Sequence, residues 1–154
     1  VAAKKGGHLV NVSSAAGLIA MPWHAAYSAS KFGLRGVSEV LRYDLRRYRI
    51  GVTVVCPGAV KTPLVGTVQI LGIDRNHPEA KKLVGRFEKH AATPEKVARD
   101  IIRGIRENRY MVITSFDIKL IYWLKRKFFI AYHATMIAMN NLLMYFFSKA
   151  RIRE

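Results

Sequence analysis

Two buried-strand patterns separated by one long helical stretch constrain the fold of this chain more than any other feature. The first is Gly7-His8-Leu9-Val10-Asn11-Val12, a β-branched run that opens into Ser13-Ser14-Ala15-Ala16-Gly17. The second, Gly51-Val52-Thr53-Val54-Val55-Cys56, is stopped by Pro57-Gly58 and followed by Ala59-Val60-Lys61-Thr62-Pro63. Between them the pattern is helical from about Ala25 to Tyr48. Parallel strands need a long crossover, and strand, helix and strand close right-handed onto one sheet. Open sheets of that kind bind ligands beyond the carboxyl ends of their strands, which is where Ser14 and Thr62 fall.

The helical stretch begins with Ala25-Ala26-Tyr27-Ser28-Ala29-Ser30-Lys31-Phe32-Gly33. Four residues put Tyr27 and Lys31 on one helical face, an ammonium beside a phenol. A free phenol titrates near ~10, and a fixed positive charge favours the phenolate, so such a pair makes a proton donor that works nearer neutrality. Taken alone, the spacing is also that of a lysine stem lying along a ring. Its weight comes from the serine loop upstream and the Pro-Gly turn downstream.

Asn11-Val12-Ser13-Ser14-Ala15-Ala16-Gly17, then Tyr27-x-x-x-Lys31, then Pro57-Gly58-x-x-x-Thr62, in this order and spacing, resemble the second half of a short-chain dehydrogenase/reductase. The resemblance is specific over residues 6–63 and extends as architecture to about 115. It implies that Tyr27 is the general acid in reduction, or the base in oxidation, of a carbonyl/alcohol pair. Lys31 would lower the tyrosine's pKa and hold the nicotinamide ribose. Ser14, thirteen residues before the tyrosine, would bind and polarise the substrate oxygen; Ser13 is the less suited neighbour. Pro57, Gly58 and Thr62 would line the nicotinamide side of the cofactor, the threonine bonding its carboxamide. The cofactor implied is NAD or NADP, which supplies the hydride while the protein supplies position, a proton and charge stabilisation.

The chain departs from the family's pattern as well. A dinucleotide's pyrophosphate needs a glycine-rich turn between a strand and a helix, and none of the eleven glycines is clustered that way. The residue that reads the ribose 2′ position and the asparagine often used in the proton relay also have no counterpart. The chain starts at Val1. The expectation is therefore the carboxyl-terminal portion of a longer protein: an incomplete α/β, Rossmann-like parallel sheet with helices on both faces, the second half of a doubly wound fold. Strands are expected at about 8–13, 51–56 and 109–114. The first would have an open edge, so the isolated chain should be poorly stable or oligomeric. Residues 1–115 form this domain and 116–154 a basic, hydrophobic helical extension.

In the helix over 25–48, Ala29, Phe32, Gly33, Gly36, Val37, Val40, Leu41 and Leu45 recur at three-and-four spacing and predict the face packed on the sheet. The resemblance implies that this helix also joins homo-oligomers. Residues 64–92 correspond to the family's substrate-covering lid. Val68, Ile70, Leu71, Ile73, Leu83, Val84 and Phe87 would either line a site for a small hydrophobic alcohol or ketone or serve as ordinary packing. His77 and His90 lack partners at metal-ligand spacing, so no metal is assigned. Thr93-Pro94-Glu95-Lys96 is a helix start, with Val97, Ile101, Ile102 and Ile105 as its buried face.

Residues 128–147 contain no lysine, arginine, aspartate or glutamate. Phe129, Tyr132, Met136, Met139, Leu143 and Phe146 alternate by three and four, between Lys125-Arg126-Lys127 and Lys149, Arg151 and Arg153. Three readings stand: a helix lying on a membrane or roofing an apolar site, plain core or oligomer packing, and a true span, against which His133, Asn140 and Asn141 count. The net charge of +16, from 26 basic and 10 acidic residues, raises nucleic-acid binding. No zinc-ligand set or aromatic-basic sheet signature accompanies it, so no nucleic-acid partner is assigned. The single cysteine, Cys56, reads as a small buried hydrophobe and suits a reducing cytosol, hence a cytoplasmic protein with peripheral membrane contact through 116–154. Two functions follow. One is an NAD(P)-dependent oxidoreductase whose fragment is itself inactive; the other is a catalytically dead truncated module acting only in membrane association or oligomerisation.

Overall fold

A computed structural model describes residues 6–63, 74 and 76–149. Strand β1 (Gly7–Val12) is followed by a short 3-10 turn over Ala15–Gly17 and by helix α1 (Ala25–Asp44). Strand β2 (Ile50–Cys56) comes next, then α2 (Pro78–Lys89), α3 (Pro94–Arg106), β3 (Met111–Ile113), α4 (Phe116–Lys127) and α5 (Phe129–Lys149). The strands form one parallel sheet in the order β1-β2-β3, with Gly7 opposite Ile50, Val12 opposite Val55 and Val54 opposite Met111. This is the expected α/β plan, and β1 lies at one edge of the sheet.

Both faces of the sheet carry helices. Asn11 donates from Nδ2 to Ser38 Oγ of α1 at 3.0 Å, whereas a Cβ at Gly104 of α3 would collide with Val112 and lie near Thr53. Thr53, fully buried in β2, donates to the Arg109 carbonyl at 2.6 Å and meets His8 Nε2 at 2.7 Å, so its hydroxyl is satisfied inside the sheet. Strand β3 is shorter than the expected 109–114. It starts once the chain leaves the turn at Asn108, whose φ of 49° is left-handed.

The predicted inner face of α1 is corrected. Ala29, Gly33, Gly36, Val37 and Val40 are exposed, and the buried residues are Ser28 and Ser38, with Lys31, Phe32, Leu34, Arg35, Leu41 and Leu45 half-buried. The helix is rotated so that Ser38 meets Asn11 of β1 while the Lys31 and Arg35 stems reach the carbonyls of Val12 and Gly17. It also stops at Asp44; Arg46–Tyr48 is a 3-10 turn closed by Arg49 at φ 55°. In α3, Val97 and Gly104 are buried but Ile102 is exposed, because it lies a quarter-turn from Ile101. The cap is as expected, with Thr93 Oγ1 accepting from Lys96 N.

The core cluster runs from the sheet into the C-terminal helices: Ala15, Leu18, Ile19, Val54 and Cys56 pack with Ile118 of α4 and Tyr132 of α5. Helix α5 buries Tyr132, Phe146 and Phe147 and half-buries Met136, Met139 and Leu143. That is the predicted stripe except for Phe129, which is exposed because it starts the helix at the corner after Phe128. No described helix is long and apolar enough to cross a membrane, so the spanning reading of 128–147 is dropped. Val68, Ile70, Leu71 and Ile73 lie outside the described residues. Leu83, Val84 and Phe87 are on α2, which packs beside α5 with Arg86 over the Phe146 ring at 5.4 Å.

Candidate active site

Two successive residues leaving β1 take different tasks. Ser13 is buried; its backbone N–H still donates to Val55 O at 2.7 Å, and its hydroxyl donates to the Lys31 carbonyl at 2.9 Å. Ser14 is extended and caps the 3-10 turn, its Oγ accepting from Ala16 N at 3.2 Å. That bond uses an acceptor site, so the Ser14 hydroxyl proton remains able to donate. The loop is pinned to β2 by Ala15 N, which donates to Pro57 O at 2.7 Å.

Helix α1 lies against this loop at close range. A Cβ on Gly17 would stand 2.7 Å from the Lys31 carbonyl oxygen and would collide with Ser13 Oγ, so only glycine lets the loop and helix approach this far. Lys31 Nζ donates to Val12 O at 3.3 Å, and Arg35, one turn on, donates to Gly17 O at 3.3 Å. The same Lys31 ammonium is 5.6 Å from the Tyr27 ring centroid, within cation–π range. Tyr27 is 40% exposed in the first turn of α1. The structure thus brings Lys31, Tyr27 and the carboxyl end of β1 together, with Ser14 two residues beyond the carbonyl that Lys31 holds.

At the end of β2, Pro57 belongs to this arrangement through its carbonyl. Gly58 faces Ser115 and Ile118 so closely that any Cβ there would collide with Ser115 Oγ. Thr62 is exposed, two residues past the Val60–Ala92 bridge, in an open hollow with Lys61, Pro63, Gly85 and Lys89 that Ser14, Tyr27 and Lys31 do not line. Cys56 is fully buried, and burial pushes its thiol up to about 11 despite the nearby Arg35; it is the inert hydrophobe expected. No cluster that could hold a metal ion occurs among the described residues.

The sequence reading missed a second layer. The segment from Leu18 to His24 connects the serine loop to Tyr27, and α4 and α5 hold it at three points. Lys125 Nζ donates to Leu18 O at 2.7 Å, Ala20 N donates to Tyr132 Oη at 3.2 Å, and Trp23 Nε1 donates to Asn140 Oδ1 at 3.1 Å. Trp23 has a left-handed φ of 68°, and its ring rests on Phe147 at 4.9 Å. Burial holds the Lys125 ammonium below the usual lysine range, and Arg35 adds to the effect. The available signal was Asn140, a polar residue inside an uncharged run, which the sequence offers only as an argument against a span.

Known proteins share part of this sequence and its fold. A family model described as short chain dehydrogenase matches residues 1–70. The Mycobacterium tuberculosis protein SadH is 33% identical over 123 residues, 79% of this chain and 44% of that protein. The 3-ketodihydrosphingosine reductase of Dictyostelium discoideum is 35% identical over 116 residues, 75% of this chain and 33% of that protein. This chain therefore spans less than half the length of either relative. A crystal structure of a short chain dehydrogenase/reductase from Burkholderia phymatum in complex with NAD superposes with a TM-score of 0.67, over 80% of this chain and 48% of that one, at 24% identity, and so shares the fold. The family match covers the stretch in which β1, the serine loop, the Tyr27–Lys31 face and the Pro57–Gly58 turn come together, and residues 1–70 belong to the short-chain dehydrogenase/reductase family.

Proposed function

We propose that this chain carries the catalytic half of an NAD(P)-dependent oxidoreductase that interconverts an alcohol and a carbonyl. The observation that carries the reading is the tether of Lys31 to Val12 O, which sets an ammonium between the end of β1 and the Tyr27 ring. Tyr27 gives its phenolic proton to the carbonyl oxygen in reduction and takes it back in oxidation. Lys31 keeps a positive charge beside that phenol and offers its remaining donors to a ribose. Ser14 donates to the substrate oxygen; what favours it over Ser13 is that Ser13 is buried and already bonded to Lys31 O.

The donor set suits the nicotinamide end of a dinucleotide: an anchored ammonium, a half-exposed phenol, a serine proton able to donate, and the Pro57–Gly58 backbone, with Thr62 assigned to the carboxamide. When bound, NAD or NADP supplies or accepts the hydride. No glycine-rich turn receives its phosphates in this sequence, so the 154 residues alone are expected to be inactive. Residues 1–115 are assigned to the catalytic half and 116–154 to an extension that shares its core, with 64–92 covering a hydrophobic substrate beside α2. The exposed face of α1, with Ala29, Gly33, Gly36, Val37 and Val40, is the surface assigned to a second copy.

The test is Tyr27→Phe in protein that includes a phosphate-binding half. Turnover should fall by ~10²–10⁴-fold, the usual share of a general acid, with nucleotide affinity and melting temperature unchanged. Retained turnover would remove Tyr27 from the mechanism. Micromolar binding of NADH by the 154 residues alone would show that the phosphate turn is dispensable.

A further inference from the structure

Among the described residues, one face of helix α4 has nothing packed on it. Phe116, Leu120, Trp123 and Lys127 recur at four, three and four residues, so they lie in one row, and all are exposed, Phe116 at 79%. The opposite face, with Ile118, Ile121 and Lys125, meets the core cluster and the Leu18 carbonyl. At the corner into α5 the row continues through Phe128, whose ring meets Trp123 at 5.4 Å, to Phe129 at 70% and Ile130 at 85% exposure. Four aromatic rings and two aliphatic side chains thus line this helix–helix corner.

The charge around this surface is of one sign. Lys119, Arg126 and Lys127 are exposed on α4, and residues 116–149 contain five basic residues against the single acid Asp117. Cations flanking aromatic and aliphatic tips fit a bilayer surface: the ammonium and guanidinium groups meet lipid phosphates while Trp and Phe enter the headgroup region. A protein partner would need acids placed opposite three exposed basic side chains; an anionic lipid surface supplies negative charge at any register. With no described helix able to span, the contact lies in the plane of the membrane.

We infer that the α4–α5 corner, through Phe116, Leu120, Trp123, Phe128, Phe129 and Ile130, seats this protein on an anionic membrane surface, independently of the reaction it catalyses. The same helices hold the loop from Leu18 to His24, so the seated face lies one helix layer from the segment that leads to Tyr27.

A chain of net charge +16 is drawn to any anionic vesicle, so the test must separate insertion from attraction. Purified protein is floated with phosphatidylcholine vesicles with and without phosphatidylglycerol, and Trp123 emission is followed in a Trp23→Phe background with brominated acyl chains as quencher. Expected are binding to the phosphatidylglycerol vesicles that persists at high salt, a blue shift of Trp123, and its quenching. The triple variant Phe116→Ser/Phe129→Ser/Ile130→Ser keeps the net charge and should lose binding about tenfold or more, together with the quenching. A second variant, Lys119→Glu/Lys127→Glu, should lose the preference for phosphatidylglycerol. Far-UV circular dichroism of both variants should match the parent, since every altered side chain is exposed. Equal binding by parent and triple variant, unquenched Trp123, or no flotation would each overturn the inference, as would a change of oligomeric state in the triple variant, which would assign the face to protein.

Discussion

Helices α1 and α5 are nearly equal in length, 20 and 21 residues, and both carry apolar residues at three-and-four spacing, yet they bury opposite kinds of side chain. Helix α5 buries Tyr132, Phe146 and Phe147, whereas α1 buries Ser28 and Ser38 and turns Val37 and Val40 outward. The difference lies in what each inner face must do. Helix α5 mainly excludes water from a core, its polar contacts to the segment at 18–24 coming from Tyr132 and Asn140. Helix α1 has to hold Lys31 against Val12 O, Arg35 against Gly17 O and Ser38 against Asn11, and those bonds set its rotation. Hydrophobic period predicts the buried face where burial is the task and misleads where a polar site is built into the contact.

The largest expected effect tests whether α5 belongs to the core. Tyr132 is buried among Leu18, Ile19, Val54 and Cys56 and accepts from Ala20 N. Tyr132→Ala should cost about 3 kcal/mol or more in urea unfolding, the range for large aromatic truncations. Tyr132→Phe should cost about 1 kcal/mol, the net value of one hydrogen bond. A loss under ~1 kcal/mol for the alanine variant would make α5 an appendage and dissolve the comparison.

On the α1 side the corresponding test is Gly17→Ala. The new methyl would press on the Lys31 carbonyl oxygen, a backbone atom, and on Ser13 Oγ, so helix and loop must move apart. About 2 kcal/mol of stability should be lost, as for overpacking elsewhere. The Lys31–Val12 bond should weaken with it, so in active protein the variant should lower turnover more than it raises KM. Equal stability of Gly17→Ala and the parent would mean that the loop is not clamped.

Much of this was legible in the sequence, for definite reasons. The strands over Gly7–Val12 and Ile50–Cys56 were readable because β-branched runs ended by Ser-Ser and Pro-Gly have few other uses. That Tyr27 and Lys31 share one face was readable because helical spacing puts them there, while the weight given to the pair came from the serine loop and the Pro-Gly turn on either side. The face of α1 was not, since it depends on carbonyls of β1 and of the serine loop that no local pattern reveals. Nor were the bonds from Lys125, Tyr132 and Asn140 to the segment at 18–24, because they join residues more than a hundred positions apart and arise only once the sheet has placed α4 and α5 beside that loop.

The smallest effect has the opposite sign and tests the outer face of α1. A Cβ on Gly36 meets nothing within 4 Å, so Gly36→Ala removes backbone freedom from the unfolded chain and adds no clash. At protein concentrations where the chain is monomeric, it should gain about 0.5–1 kcal/mol, read as a shift of the urea midpoint at unchanged slope. If a second copy seats on this face, the methyls of Gly36→Ala stand between two closely approaching helices once the copies associate, and the gain should shrink or reverse as concentration rises. The same gain at every concentration would remove α1 from the contact, leaving Val37 and Val40 as solvent-facing residues on a helix whose orientation is set by its polar side.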